Sequence, residues 1–314
     1  MVEPGHQTAS VGFHECCITM SKHKILLYSR PREMGEEIID EPIEDGFLLT
    51  TDHQYLDEAA AVVFHMPTLT RGDKVFHEHR KREGQAWVFW STECEAHYEW
   101  QYEPRILSLF DLTATYKMDS NIPVPHFHSH YPEILRRPPA PKQGFINAFI
   151  SGTPDKSNRI GYLTELMRYI DVHSYGKVLN NKVLSGDEGF LTRSNIISGY
   201  KFTIAFENAI APDYITGKFF EPLIAGSVPV YLGAPNIEDF VPAEKCYINV
   251  NSYSSVRSLA DHLLELDDNN EKYQEYLQWK KVPLRDHFIR KVGRLGDGNP
   301  LVELCNMLKS RMEN

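Results

Sequence analysis

The chain has 314 residues, of which 42% are hydrophobic and 24% are charged, a composition typical of a folded globular protein. Its 33 basic and 43 acidic residues give a formal charge of −10, and no basic run interleaves with aromatic residues. We therefore predict no nucleic-acid partner, although a few well-placed cations could still bind a small polyanion. No apolar stretch reaches the roughly 18 residues of a membrane-spanning helix, and the first residues lack the features of a signal peptide.

The cysteine pattern favours reduced thiols. The five cysteines are odd in number and form no CxxC pair: Cys16, Cys17, Cys94, Cys246 and Cys305. A cytoplasmic protein with free thiols is the simplest interpretation. An ectodomain cut from a longer secretory precursor would have a similar pattern, so that alternative stays open.

The first half alternates short apolar segments with polar connections. Five segments are predicted to be buried strands: HKILLYSR, EDGFLLTT, AAAVVFHM, QAWVFWST and DLTATY. Between the third and the fourth, LTRGDKVFHEHRKRE has the charged face expected of a helical crossover. Strand, crossover and strand in succession predict a mostly parallel sheet.

A proline-rich segment, YPEILRRPPAPKQ, is predicted to be a linker between two α/β domains. A second pattern follows it, with strands GFINAFISG, KFTIAFEN and VPVYLG and helices RIGYLTELMRYI and GKFFEPLIAG. We predict an N-terminal domain over 1–137, a C-terminal domain over 138–290, and a helical tail over 291–314 that could pack back on the first domain. Ligands of parallel sheets bind at the carboxyl ends of the strands, so the cleft is expected between the domains.

The segment after KFTIAF has the features of a ligand site. Glu207 and Asn208 come at the carboxyl end of this strand, and Thr216 can cap the next helix, which Gly226 would end. Gly217 and Lys218 then lie in the first turn, where free N–H groups and the helix dipole attract an anion. A phosphate beside Lys218 would resolve the conflict between its charge and the dipole; a solvated surface lysine is the alternative.

Residues 200–235, YKFTIAFENAIAPDYITGKFFEPLIAGSVPVYLGAP, resemble the signature of the α1,3/α1,4-fucosyltransferases. That signature runs YKF-x-x-x-FEN-x-x-x-x-DYxTEK, then a helix, then G-x-x-P-V-x-x-G. AAAVVFHM, WVFWSTE and LFDLTATYKMDSNIPVPHF resemble the family's N-terminal half in the same order, and SNRIGYLTELMRYIDVHSYG resembles its segment with an arginine and a V-x-x-YG element. The resemblance implies an α/β fold class of GT-B architecture, in which two Rossmann-like domains with mostly parallel sheets face each other across a cleft.

The resemblance also implies an activity: inverting transfer of L-fucose from GDP-fucose to an acceptor oligosaccharide containing GlcNAc or glucose. An α1,3 linkage is expected, as in Lewis-type glycans or lipopolysaccharide. No cofactor is required, because cations and a helix N-terminus hold the diphosphate in GT-B enzymes; stimulation by a divalent metal is left open. A start at Met1 without an anchor favours a bacterial-type cytoplasmic enzyme, free or peripheral to the inner membrane, whereas a truncated ectodomain would work in the Golgi lumen. No oligomeric state is predicted.

Several site residues follow from the resemblance. Glu93, at the end of WVFWST, falls where the family has its proposed general base, and Glu95 and Glu99 are nearby substitutes. Arg159 and Lys218 match the cations that stabilise the GDP leaving group. The remaining expected donor contacts are Tyr175, Glu207, Asn208, Tyr214 and Gly217. Glu207 has two open interpretations, contact with fucose or bracing of its loop.

Three histidines alternate in PHFHSHYP: His126, His128 and His130. In a strand they would share one face, as in a metal cluster, but no cysteine or carboxylate completes the set and prolines interrupt it. We therefore predict no metal site. The resemblance implies that this region approaches the cleft between the domains, where His126 and His128 are expected to contact the acceptor.

Gly217 departs from the family pattern, which has glutamate at this position in contact with the donor. Two alternatives to an active fucosyltransferase stay open. One is the same fold acting on another GDP-sugar; the other, suggested by Gly217, is a weakened or inactive paralogue or variant that binds GDP-sugar without efficient turnover.

Overall fold

Two β-sheets organise the protein, whose computed structural model describes residues 23–31, 34–35, 37–44, 46–152, 154–184, 186, 189–296 and 298–313. Cys16 and Cys17 lie outside the described residues. No helix among the described residues has the length and apolar character needed to cross a membrane. The two-sheet α/β fold class predicted from the sequence is confirmed.

The first sheet has seven strands in the order β2-β3-β1-β4-β5-β6-β7. The strands are β1 (His23–Ser29), β2 (Glu41–Glu44), β3 (Phe47–Thr50), β4 (Ala61–His65), β5 (Ala86–Ser91), β6 (Leu112–Thr115) and β7 (Ile122–Pro123). All pairings are parallel except the one between β2 and β3. Each of the five predicted strands is therefore present in this sheet.

The predicted helical crossover between β4 and β5 is wrong. The predicted segment contains one 3-10 turn, Lys74–Phe76, and otherwise consists of turns and loops. Asp73 competes with a helix locally, because its carboxylate accepts hydrogen bonds from the backbone N–H and the hydroxyl of Thr70. The segment also offers few apolar residues for burial; Phe76 packs against the ring of Phe64 at 5.9 Å between centroids.

The second sheet has five parallel strands in the order β12-β11-β10-β8-β9. They are β8 (Gly144–Ala148), β9 (His173–Ser174), β10 (Tyr200–Phe206), β11 (Val228–Leu232) and β12 (Ile248–Asn249). The central strand, β10, is buried from Phe202 to Phe206, which explains its continuous apolar sequence. Its carboxyl end leads directly into the predicted site segment.

The described residues form α-helices α1 (Pro104–Leu107), α2 (Tyr131–Ile134), α3 (Arg159–Leu166), α4 (Phe190–Ser198), α5 (Gly217–Ala225), α6 (Val256–Asp268), α7 (Asn270–Glu275), α8 (Asp286–Gly293) and α9 (Pro300–Met312). Several of them cover both faces of the second sheet. Leucines of α3 and α6 form one core with β8, β10 and β11, while α5 and α8 form a second core on the opposite face. Helix α4 was not anticipated from the sequence.

The proline-rich linker is packed rather than loose. Tyr131 and Leu135 of this segment are buried, and the Tyr131 ring lies 5.6 Å from that of Phe220 in α5. The buried Lys280 donates hydrogen bonds from Nζ to the carbonyls of Leu135 at 2.7 Å and Leu223 at 2.6 Å. These contacts fix the connection between the two sheets against α5.

The C-terminal helix α9 returns to the first sheet. Its residues Leu304, Cys305 and Leu308 are buried in the same core as Ile25 and Val88. The last helix of the chain thus covers a face of the N-terminal sheet, and the two halves are tied together at the linker and at the chain end.

Candidate active site

The carboxyl ends of β5 and β10 meet where the two halves face each other. Tyr214, in the loop after β10, donates a hydrogen bond from Oη to Oε2 of Glu93 at 3.4 Å. Its neighbour Asp213 accepts a hydrogen bond from the Met118 backbone N–H at 2.9 Å, and a second from Nδ2 of Asn236 at 2.8 Å. The loop from 208 to 216 therefore bridges the halves beside Glu93.

Three carboxylates follow β5, and their environments differ. Glu95 accepts hydrogen bonds from the Tyr116 hydroxyl and from Nζ of Lys117. Burial alone would raise the pKa of Glu95, but hydrogen bonds from Lys117 and Tyr116 lower it, so this group holds its charge and its partners. Glu99 is exposed and lies 3.6 Å from Nζ of Lys156. Glu93, half-buried and held by the long Tyr214 contact, is the least committed of the three.

His126 lies at the same place as Glu93. Its Nε2 donates to the Thr92 carbonyl at 2.9 Å, since a carbonyl can only accept, and its ring meets that of Tyr214 edge-on at 5.9 Å. Burial lowers the pKa of His126, so the neutral ring is favoured. His126 is thus positioned to hold the backbone that carries Glu93.

His128 and His130 lie apart from this cluster. Both are exposed, and their rings stack on each other at 5.6 Å. The segment from 124 to 130 is not a strand, so the period of two does not apply to the three histidines. Within the described part of the chain, no three His, Cys, Asp or Glu side chains are grouped closely enough to hold a metal ion.

Glu207 braces the loop that follows β10, as one of its two interpretations expects. The side chain is fully buried; Oε1 accepts from the Thr216 N–H at 2.7 Å, and Oε2 accepts from the Thr216 hydroxyl at 2.9 Å. Oε2 also accepts from Nζ of Lys218 at 3.1 Å. The buried carboxylate therefore neutralises a lysine that would otherwise oppose the dipole of α5.

Helix α5 begins and ends as predicted. The Thr216 hydroxyl caps it by accepting from the Lys218 N–H at 3.3 Å, and Gly226 ends it in the left-handed region with φ 80°. Lys218 lies in the first turn with 32% of its side chain exposed, so the ammonium group can still reach a ligand.

Arg159 and Asn208 carry buried polar atoms without partners. Arg159 is the first residue of α3 and is 4% exposed; its guanidinium donates to the carbonyls of Gly152 at 2.8 Å and Phe206 at 3.3 Å. Among the described residues, neither Arg159 Nε nor Asn208 Oδ1 has a hydrogen-bond partner. An unpaired buried donor or acceptor costs about 1–3 kcal/mol, and such costs are typical of ligand sites.

A cavity of about 400 Å³ opens at the carboxyl edge of the second sheet. Three predicted residues line it, Tyr175, Gly217 and Lys218. Tyr175 stacks on Phe149 with 5.2 Å between ring centroids, which gives the cavity an aromatic wall. Arg193 and Glu221 also line the cavity. Sequence reasoning missed both, although the position of Glu221 one helical turn after Gly217 was a usable signal.

The structure thus brings most predicted site residues together. The charges of Glu207, Lys218 and Glu93 all act on His126, and those of Glu93 and Glu207 act on Tyr214, so these groups form one cluster. Tyr175 and Gly217 belong to the adjoining cavity, and Lys218 belongs to both. His128 lies instead along a groove shared with Arg294.

Two mostly parallel sheets, with a weakly held carboxylate on one and a cation-lined cavity on the other, have the arrangement expected of the GT-B class. Family comparison gives the finer assignment. Residues 139–314 match the family described as "Glycosyltransferase family 10 (fucosyltransferase) C-term", and residues 20–127 match "Fucosyltransferase, N-terminal". The chain belongs to glycosyltransferase family 10, the fucosyltransferases.

Individual relatives agree with this assignment. The chain is 34% identical over 237 residues to GDP-fucose protein O-fucosyltransferase 3 of Xenopus tropicalis, a match that covers 69% of this chain and 48% of that protein. It is 33% identical over 241 residues to the 4-galactosyl-N-acetylglucosaminide 3-alpha-L-fucosyltransferase 9 of Pan troglodytes, covering 75% of this chain and 64% of that protein. The chain therefore spans about half to two thirds of the length of these relatives.

A solved structure shares the fold. The crystal structure of an alpha1,3-fucosyltransferase with GDP-fucose superposes with a TM-score of 0.63 at 15% identity, covering 97% of this chain and 94% of that one. The same enzyme class with GDP gives a TM-score of 0.62 at 16% identity, over 96% of this chain and 94% of that one. The GT-B architecture expected from the sequence is confirmed.

Proposed function

We propose that this protein is an enzyme that transfers L-fucose from GDP-fucose to an acceptor hydroxyl with inversion at the anomeric carbon. The observation that carries the proposal is the contact between Tyr214 and Glu93. It joins the loop of the second sheet, which leads to Lys218, to Glu93. Of Glu93, Glu95 and Glu99, Glu93 is the carboxylate for which the described residues show neither an ion pair nor a short hydrogen bond. The family and the names of both relatives support the transfer of fucose, and the name of the Xenopus tropicalis relative supports GDP-fucose as the donor.

In the proposed reaction, Glu93 accepts the proton of the acceptor hydroxyl as its oxygen forms a bond to the anomeric carbon of fucose. The bond from that carbon to the phosphate oxygen breaks on the opposite face, and GDP leaves with the electron pair. General base catalysis of this kind contributes on the order of 10²–10⁴ in rate. His126 and Tyr214 act as positioning residues, since they hold the Thr92 carbonyl and the Glu93 carboxylate.

The second sheet is proposed to bind GDP-fucose. Lys218 and the first turn of α5 would face the diphosphate, and Arg159 would meet it through its unpaired Nε. Asn208 would accept a hydroxyl of the donor at its unpaired Oδ1. This set supplies positive charge to the leaving group from side chains, so the proposal requires no metal.

The acceptor is proposed to be an oligosaccharide with GlcNAc or glucose, and the linkage α1,3. The name of the Pan troglodytes relative, a 4-galactosyl-N-acetylglucosaminide 3-alpha-L-fucosyltransferase, favours this acceptor. A protein hydroxyl is the second candidate, because the Xenopus tropicalis relative is named a protein O-fucosyltransferase. A bacterial-type enzyme would act in the cytoplasm, whereas a secretory form would act in the Golgi lumen.

A turnover assay tests the proposal. GDP release is measured from GDP-fucose and from GDP-mannose, each with N-acetyllactosamine or an unfolded-protein extract as acceptor. We expect release from GDP-fucose alone, together with a fucosylated product in one of the two acceptor samples. Release from GDP-mannose would instead indicate another GDP-sugar, and calorimetric GDP binding without any product would indicate the inactive paralogue.

A further inference from the structure

The carboxylate of Glu221 occupies the space that a side chain at position 217 would fill. A Cβ on Gly217 would stand 2.6 Å from Oε1 of Glu221, which lies one helical turn later on α5. Both residues line the cavity at the carboxyl edge of the second sheet. A carboxylate is therefore present beside position 217, although it comes from a different residue.

Arg193 of α4 holds this carboxylate in place. Its Nε donates to Oε2 of Glu221 at 2.6 Å, and its Nη2 donates to Oε1 at 2.8 Å. The paired geometry of a guanidinium and a carboxylate fixes the plane of both groups. The Glu221 side chain keeps 17% of its surface exposed, and each carboxylate oxygen retains acceptor capacity beyond its bond to Arg193.

The rest of the cavity fits the parts of a nucleoside diphosphate. The stacked rings of Phe149 and Tyr175 offer an apolar wall to a planar base, and Lys218 offers positive charge to a phosphate. Between a base and its phosphates lies a ribose, whose two neighbouring hydroxyls are donors that a fixed carboxylate can accept. Glu221, one turn into α5, is the carboxylate that lines this cavity.

We propose that Glu221, held by Arg193, binds the ribose hydroxyls of GDP and replaces the side chain that Gly217 lacks. The inference rests on the proposed function, because it takes GDP as the nucleotide of the donor. It also changes the expectation for Gly217: the glycine makes room for Glu221 and is not by itself a sign of lost activity.

Calorimetry with two nucleotides tests the proposal. GDP and 2′,3′-dideoxy-GDP are titrated into the wild-type chain and into Glu221→Gln. We expect the wild type to prefer GDP by roughly 10- to 100-fold, the size of one hydrogen bond to a charged group. Glu221→Gln should lose most of that preference by binding GDP more weakly while binding dideoxy-GDP unchanged.

The control variant is Glu238→Gln. Glu238 is also a carboxylate beside an arginine, 3.3 Å from Nη1 of Arg285, but it does not line the cavity. It should bind both nucleotides like the wild type. A wild type that binds no GDP would refute the proposed function. A wild type that binds GDP, with a hydroxyl preference that Glu221→Gln leaves intact, would overturn the inference and leave the function standing.

A second set of variants moves the carboxylate from position 221 to position 217, so that the proposal can be tested even if Glu221→Gln folds poorly. Gly217→Glu alone should weaken GDP binding, because the new side chain displaces the Glu221 carboxylate from Arg193. Gly217→Glu combined with Glu221→Ala should restore the preference for GDP over dideoxy-GDP. Tighter GDP binding by Gly217→Glu alone, or no recovery in the double variant, would overturn the proposal.

Discussion

The carboxyl edges of the two sheets hold their charged groups in opposite ways. At the first edge, the Glu93 carboxylate is held by a long hydrogen bond of 3.4 Å from Tyr214. At the second edge, Lys218 is paired with Glu207 at 3.1 Å and Arg193 with Glu221 at 2.6 Å. A general base must be able to take a proton, whereas a binding site benefits from charges that are fixed before the ligand arrives. The contrast separates the proposed chemistry from the proposed donor binding.

The largest effect is expected at the first edge. Glu93→Gln removes the proton acceptor while keeping the shape of the side chain, so turnover should fall by on the order of 10²–10⁴. GDP affinity should stay within about twofold, because the donor groups belong to the other sheet. Steady-state GDP release and calorimetry measure the two quantities.

Glu99→Gln is the matched control for this variant. Glu99 follows the same strand but is exposed and pairs only loosely with Lys156, at 3.6 Å. Its turnover should remain close to that of the wild type. If Glu99→Gln were as inactive as Glu93→Gln, or if Glu93→Gln kept near-normal turnover, the assignment of the base would be wrong.

A substitution at the carboxyl edge of the second sheet should lower both GDP affinity and the stability of the fold. Lys218→Met removes a phosphate-facing cation and leaves the fully buried Glu207 without its charged partner. GDP affinity should drop roughly 10- to 100-fold, and the free energy of unfolding should fall by about 2 kcal/mol. Isothermal titration and urea denaturation measure these losses.

A double variant distinguishes the two losses. Glu207→Gln added to Lys218→Met neutralises the buried carboxylate, so stability should recover in part while GDP affinity does not. Recovery of GDP affinity in the double variant would contradict a direct role of Lys218 at the phosphate.

A substitution in the loop from 208 to 216, which connects the two edges, should have a smaller effect on stability and turnover. Asp213→Ala removes the acceptor of the Met118 N–H and of Asn236, and the new residue must keep φ near 64°. We expect a loss of about 1–2 kcal/mol in unfolding free energy. Turnover should fall more than GDP affinity, because Tyr214 would no longer be held at Glu93.

Asp213→Asn provides the conservative comparison for this loop. Asparagine tolerates positive φ and keeps one acceptor oxygen, so both turnover and stability should be closer to those of the wild type. Equal losses in the alanine and asparagine variants would indicate that the charge of Asp213, and not its hydrogen bonds, is what matters.

The smallest effect is a pH dependence at His126. Burial lowers the pKa of His126 in the folded protein, so below its ordinary value of 6.5 the unfolded chain binds more protons than the folded one. Stability should therefore decline as the pH falls below 6.5, and the decline should end below the folded-state pKa. His126→Gln, which can still donate to the Thr92 carbonyl, should show a smaller decline in urea denaturation; an unchanged decline would contradict the burial argument.

Much of the second edge could be predicted because its signals are local. The apolar run of β10, the cap at Thr216 and the stop at Gly226 are each set by neighbouring residues, and the structure confirms them. The first sheet was predictable for the same reason, through five short apolar segments. The position of Glu207 at a strand end was also visible, but its hydrogen bonds to Thr216 depend on how the loop closes.

The remaining features depend on contacts between distant residues. The charged segment before β5 was predicted to be a helical crossover because of its charged face, yet its turns are decided by Asp73 and by packing of Phe76 on Phe64. Arg193 lies on a helix with weak apolar periodicity, and its partner Glu221 is 28 residues away. The meaning of Gly217 therefore emerges only when the two helices are placed side by side.

The central claim is a single displacement in which one carboxylate acts as base and no group of the protein attacks the sugar. The most direct test is the anomeric configuration of fucose in the first product formed from GDP-fucose, read by proton NMR. The account predicts a configuration opposite to that of the donor. Retention of the donor's configuration would contradict it.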